Sequence, residues 1–205
     1  MATLVELLTI SCYASSADEA RFIYKEIYED GCYDVPGLDE AHFIIDVEAN
    51  IGLCSLYMKQ RFPSARFFVF EPAPETYNTL CQDIALHNIS GVEPLQYGCA
   101  SEPGTAKLTF FPNPPGNSTL VPEENLQLYE EALERLSHFL SSRPEVSRID
   151  ILKVDVEGAE LEVLRAYYQI IKNVALHAAI CCDSRFFISN ITDRHSAKSY
   201  HYAVE

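Results

Sequence analysis

Apolar and polar positions along the chain alternate between two periods. Phe43-Ile44-Ile45-Asp46-Val47 is a near-continuous apolar run carrying an acid close to its end, the pattern of a strand covered on both faces of a parallel sheet. Phe67-Phe68-Val69-Phe70-Glu71 repeats it, and Ile149 to Val156 does so again with Asp155 near its end. Leu95 to Ala100 reads as a weaker third strand and Val174 to Ile180 as a fifth, while Phe186-Phe187-Ile188 suits the start of an edge strand. Helical spacing fills the intervals: about Ile51 to Arg61, then Tyr77, Leu80 and Ile84 after a first-turn Pro74, then Leu161, Leu164, Tyr168 and Ile171.

Two segments stand outside this alternation. Ser16-x-x-Glu19 opens a helix with Ala20, Ile23, Tyr24, Ile27 and Tyr28 on one face, and Gly31 with Asp34-Val35-Pro36-Gly37 ends it. Residues 1–40 are therefore expected to form a helical brace or lid on a single domain, 41–205. Lys107 to Phe111 alternates like a hairpin arm, followed by a loop of Pro112, Pro114, Pro115 and Gly116. Leu126, Tyr129, Leu133, Leu136 and Leu140 then form the stripe of an expected amphipathic helix, whose glutamates 123, 124, 130, 131 and 134 make a solvated face. This defines an insertion over 104–145. Alternating strands and helices with short links predict an α/β fold, a doubly wound, mostly parallel, Rossmann-like sheet.

Composition narrows the partners. The chain has 205 residues, and acids outnumber bases 30 to 15, giving a formal charge of −15. Nucleic acid and anionic membranes both demand a basic face, so neither is an expected partner. No stretch reaches the roughly 20 apolar residues of a membrane helix, and Met1 to Leu8 carries no basic region ahead of its apolar residues. The seven cysteines form no C-x-x-C and no zinc-like spacing, so thiols in a reducing cytoplasm are expected, with no metal.

Ligands of such sheets bind beyond the carboxyl ends of the strands, where strand order reverses. Three acids fall there: Asp46, Glu71 and Asp155. The turn from Asp46 to Gly52 lets backbone approach a small ligand at a helix start. An acid in the position of Glu71 suits the two hydroxyls of a ribose, or alternatively caps the next helix. Asp46 either faces a cofactor or organises its loop. Lys153 shares a strand face with Ile149, Ile151 and Asp155, so its ammonium needs an acidic partner or access to the cleft. Asp155 and Glu157 either border the reacting group or complement the start of the following helix. None of the six histidines has metal spacing.

Phe43 to Gly52, Phe70-Glu71-Pro72-x-Pro74, and Leu152 to Leu164 with its Lys-Val-Asp-Val-Glu-Gly-Ala-Glu core resemble the three signature segments of FkbM-type methyltransferases. These are class I, S-adenosylmethionine-dependent enzymes that mostly O-methylate natural products or sugars. The resemblance spans about residues 42–165 and includes Tyr97 to Ala100 and Phe110 to Asn113. It implies cofactor-binding roles for Asp46, Glu48, Asn50, Gly52, Glu71, Cys99 and Asp155, with Glu71 on the ribose. Lys153, Asp155 and Glu157 become the candidates for the catalytic end. The implied substrate is a small molecule bearing a hydroxyl, within a biosynthetic pathway.

Two departures stand out. Glu48 occupies a loop position where the family has glycine, which tolerates positive φ and close approach to a ligand. Val174 to Cys182 also lacks the family's acidic strand end, so an abbreviated sheet edge is expected. The competing reading is a degenerate methyltransferase fold acting as a binding or scaffold module. A nicotinamide-dependent dehydrogenase would need G-x-G-x-x-G after the first buried strand, and this chain lacks it.

Overall fold

The structure is a computed structural model that describes residues 2–99, 104–110, 127–134, 136–155, 175–181, 186–189 and 201–202. Its centre is a run of five parallel strands. Strand β3 (Phe43–Val47) lies between β4 (Arg66–Phe70) and β9 (Arg148–Val154), with β5 (Val92–Leu95) outside β4 and β10 (Ala175–Cys181) outside β9. Two short antiparallel strands, β11 (Phe186–Ser189) and β12 (His201–Tyr202), extend the β10 edge. The doubly wound α/β architecture expected from the sequence is the one observed.

The apolar runs explain why these strands sit in the middle. Ile44 and Ile151 face one core, which also holds Leu53, Met58, Phe67 and Leu80; Ile45, Val47, Phe68, Phe70, Leu152 and Val154 face the other. Helices α2 (Leu53–Arg61) and α3 (Pro74–Leu86) form the crossovers after β3 and β4, with Pro74 in the first turn of α3. Phe139, on α4 (Leu136–Ser141), meets Phe68 and Phe70 edge to face, each at 5.1 Å between ring centroids.

The first core continues into the N-terminal residues. A hairpin of β1 (Thr3–Glu6) and β2 (Ser11–Ala14) precedes α1 (Ala17–Tyr24) and a π-helical turn, Lys25–Glu29. Ser16 caps α1 through its hydroxyl, which accepts the Glu19 N–H at 3.2 Å, while the Glu19 carboxylate accepts from the Ser15 N–H and hydroxyl. Helix α3 holds the hairpin at two points: Tyr13 N–H donates to Asp83 Oδ1 at 2.7 Å, and His87 Nε2 lies 2.7 Å from the Ser11 carbonyl. Cys12, Ala14 and Ala20 are completely buried.

Two expectations require correction. The weak third strand sits earlier than Leu95–Ala100: Val92–Leu95 is the sheet strand, and Gly98–Cys99 forms a separate β6 in a three-stranded sheet. Its half-buried Val-Glu-Pro-Leu run lacks an apolar signature, and Pro94 is tolerated because β5 is an edge. The expected amphipathic helix through Leu126 and Leu140 is instead strand β8 (Gln127–Glu134) followed by α4. Strand β8 pairs antiparallel with β7 (Gly104–Phe110), placing Lys107 opposite Glu130. Ladder pairing with β7 outweighs the helical spacing of the leucines. The loop through Pro112–Gly116, residue Glu157 and the expected helix bearing Leu161, Leu164, Tyr168 and Ile171 lie outside the described residues.

Candidate active site at the switch point

From β3 the chain first winds outward through β4 and β5, then returns to pair β9 on the other side of β3. The reversal opens a crevice at the carboxyl ends of β3 and β9, the usual ligand position in such sheets. Asp46 and Lys153 are direct neighbours in the β3–β9 register.

Both residues are buried, 1% and 3% exposed, and they neutralise one another: Lys153 Nζ lies 3.1 Å from Asp46 Oδ1. The ammonium also donates to the carbonyl oxygens of Glu48 at 2.5 Å and Val47 at 3.3 Å. Two backbone carbonyls thus accept from the ammonium, and Asp46 supplies its counter-charge. Asp155 Oδ2 lies farther off at 3.9 Å, and the Tyr33 ring centroid at 5.6 Å. Burial alone would lower the lysine's pKa, but Asp46 and Asp155 outweigh it and the net shift is upward, so the site is a permanent cation. The second Asp46 oxygen accepts the Ser55 hydroxyl at 2.8 Å, tying the strand end to the first turn of α2. Lys153 thus acts on the turn after β3, clamping two of its carbonyls.

That turn is tightly specified. Ala49 N–H donates to the Phe70 carbonyl at 2.8 Å, Asn50 N–H to Glu71 Oε2 at 3.0 Å, and Gly52 N–H to the Ala49 carbonyl at 2.9 Å. The Asn50 side chain accepts the Ile51 N–H at 2.7 Å. Glu48, Asn50 and Gly52 have φ of 56°, 52° and 88°, all left-handed. A Cβ at Gly52 would stand 2.6 Å from Leu80 Cδ1, so the position requires glycine twice over. Glu48 adopts a conformation that glycine favours, and the turn closes with glutamate in place.

Glu71 joins the turn to the next helix. It is buried, and its Oε1 accepts the Ala73 N–H at 2.9 Å while Oε2 holds Asn50. Burial pushes its pKa up to about 7, against the lowering effect of those two N–H donors and of Lys153. A carboxylate has about four acceptor positions, so roughly two remain after these bonds. Asp155 is partly exposed at the end of β9; its Oδ2 accepts the Tyr33 hydroxyl at 2.5 Å, and its Oδ1 has no donor among the described residues.

The structure therefore brings Asp46, Glu48, Asn50, Glu71, Lys153 and Asp155 to one rim, with Gly52 shaping the turn. Cys99 is buried on β6 in the core cluster with Val47 and Phe70. Sequence reasoning missed Ser55 and Tyr33. Ser55, in the first turn of α2, was open to inference as a donor to Asp46; Tyr33 carried no signal beyond the flanking turn residues Gly31 and Asp34.

Comparison with known proteins places the chain. The Methyltransferase FkbM domain matches residues 46–195. "Methyltransferase sdnD" of Sordaria araneosa is 46% identical over 84% of this chain and 80% of its own length. The chain belongs to the FkbM methyltransferase family. This FkbM-family methyltransferase is also 39% identical to "Methyltransferase 1" of Beauveria bassiana, over 95% of this chain and 87% of that one. It is 28% identical to the "31-O-demethyl-FK506 methyltransferase FkbM" of Streptomyces tacrolimicus, over 80% of this chain and 76% of that one. The crystal structure of an FkbM methyltransferase from Methylobacillus flagellatus superposes with a TM-score of 0.49 at 16% identity, over 80% of this chain and 42% of that chain. The matched domain begins at Asp46, so the hairpin, α1 and Tyr33 precede it.

Proposed function

We propose that this methyltransferase takes S-adenosylmethionine as its donor and methylates a hydroxyl of a small molecule. The residues at the crevice fit that donor. Glu71 retains acceptor capacity suited to ribose hydroxyls, the turn from Glu48 to Gly52 offers close backbone approach, and Asp155 carries an oxygen without a donor among the described residues. When bound, the donor supplies an electrophilic sulfonium methyl group. The chain's own part is to bind, align and exclude water, which can account for most of the acceleration of a displacement at carbon. Asp46 and Lys153 hold the turn in shape from beneath, Glu71 takes the sugar, and Asp155 borders the reacting end. Carboxylates around a sulfonium are electrostatically favourable.

Support for a hydroxyl acceptor comes from the name of the 31-O-demethyl-FK506 methyltransferase, and that of the "Hexuronic acid methyltransferase AglP" of Haloferax volcanii, 30% identical, supports a small-molecule acceptor. Cys12 and Cys81 are thiols rather than disulfide partners, which supports a cytoplasmic setting. Residues 1–40 act as a brace on the domain that follows.

The observation carrying this reading is the buried Glu71 carboxylate, fixed by two backbone N–H groups beside the turn. Calorimetric titration tests it. Wild type is expected to bind S-adenosylmethionine and its demethylated product, and Glu71→Ala to weaken both by about tenfold or more, equivalent to about 1.4 kcal/mol. No heat and no thermal shift with either ligand would overturn it. A silent wild type beside a binding Glu48→Gly variant would indicate a decayed crevice in a scaffold protein.

A further inference from the structure

Tyr33 lies ahead of the matched domain and its hydroxyl donates to Asp155, a rim carboxylate of the crevice. It is buried, with its hydroxyl 2.5 Å from Asp155 Oδ2 and Lys153 5.6 Å from its ring centroid. Its placement is enforced by a strap running over α2. Asp34 Oδ1 accepts the Tyr57 hydroxyl at 2.6 Å and Arg61 Nη1 at 2.9 Å, and Arg61 Nη2 reaches the Val35 carbonyl at 3.4 Å. Asp34 N–H closes the preceding turn on the Gly31 carbonyl at 2.9 Å. Tyr33, inside that turn, and Val35, just after it, are buried on either side of the more exposed Asp34.

Asp155 has two ways to direct its charge. Oδ2 stands 3.9 Å from the Lys153 ammonium, short of a direct hydrogen bond, and that same oxygen is held by the Tyr33 hydroxyl. Without that donor the carboxylate can turn fully onto Lys153, whose charge Asp46 already balances and which already donates to two carbonyls. Its charge would then be spent on a structural cation. The geometry points to Tyr33 as a positioning residue that holds Asp155 off Lys153, keeping its charge directed at the crevice and at a cationic donor there. The inference rests on the proposed use of S-adenosylmethionine.

Discrimination between a charged and a neutral ligand provides the test. S-adenosylmethionine carries the sulfonium and S-adenosylhomocysteine a neutral thioether. Calorimetry on wild type, Tyr33→Phe, Asp155→Asn and the double variant should show Tyr33→Phe weakening the sulfonium ligand by about fivefold to tenfold, with the thioether changed less than about twofold. In the Asp155→Asn background Tyr33→Phe should leave the ratio of the two affinities unchanged, because the residue it acts through is gone. Equal losses for both ligands, an unchanged ratio in Tyr33→Phe, or a Tyr33→Phe protein that no longer folds would make Tyr33 a purely structural contact and overturn the inference. A wild type that binds neither ligand would instead remove the donor assignment beneath it.

Discussion

Replacing Lys153 by methionine isolates the ion pair under the crevice. At 3.1 Å and an effective dielectric of about 20, the Asp46–Lys153 attraction is about 5 kcal/mol. Much of it offsets the desolvation of two buried charges, so the pair as a whole adds little over an apolar pair of similar shape. Removing only the lysine is different. Asp46 is left buried without its counter-ion, and the Val47 and Glu48 carbonyls lose their donor, an arrangement that costs about 3 to 5 kcal/mol. For a chain of this size that lowers the thermal midpoint by roughly 10 °C. Adding Asp46→Asn removes the stranded charge while keeping an acceptor for Ser55, and should recover about 2 kcal/mol of the loss. Urea unfolding of both singles and the double closes the cycle. A Lys153→Met cost below about 1 kcal/mol, or a double variant as unstable as the sum of the singles, would refute the reasoning.

Three further outcomes follow from the same geometry. Gly52→Ala combines a left-handed φ of 88° with a Cβ 2.6 Å from Leu80 Cδ1, and should destabilise by about 2 to 4 kcal/mol in thermal or urea unfolding. Glu48→Gly should stabilise by about 0.5 to 1 kcal/mol, since relief of the strain at φ 56° exceeds the entropy glycine adds to the unfolded chain; destabilisation would contradict this. Burial raises the Asp83 carboxyl to about 7 against its Tyr13 hydrogen bond. The folded state therefore keeps the proton to higher pH than the unfolded chain, and stability is lost as pH rises from about 4 through 7. Asp83→Asn keeps the acceptor for Tyr13, so it should flatten that slope and gain about 2 kcal/mol at pH 8, read by urea midpoints across the range.

The central sheet was legible because its strands are apolar on both faces: Phe43–Val47, Phe67–Phe70 and Ile149–Val154 have no polar face to confuse their period. The acids at their ends marked the crevice for the same reason, since a charge inside such a run stands out. Strand β5 was displaced by a few residues because Val92-Glu93-Pro94-Leu95 is a half-buried edge with no comparable signature. Strand β7 was legible as a hairpin arm, but its partner β8 was hidden because the leucine spacing of 126–140 fits a helix and only the pairing decides otherwise. Lys153 announced its need for an acid, but its choice of Asp46 depends on parallel register, which no local pattern encodes. Tyr33 joins Asp155 across 122 positions of sequence, a contact of tertiary packing alone. At Glu48 the family resemblance anticipated a glycine-like backbone, and the left-handed φ there is what the turn adopts.

A crystal structure of the complex with S-adenosylhomocysteine bears most directly on the proposal as a whole. The ribose hydroxyls are expected within hydrogen-bond distance of the Glu71 carboxylate, with the homocysteine chain lying over the turn from Glu48 to Gly52. A nucleoside seated elsewhere, or Glu71 still bound only to Asn50 and Ala73 with the ligand present, would contradict it.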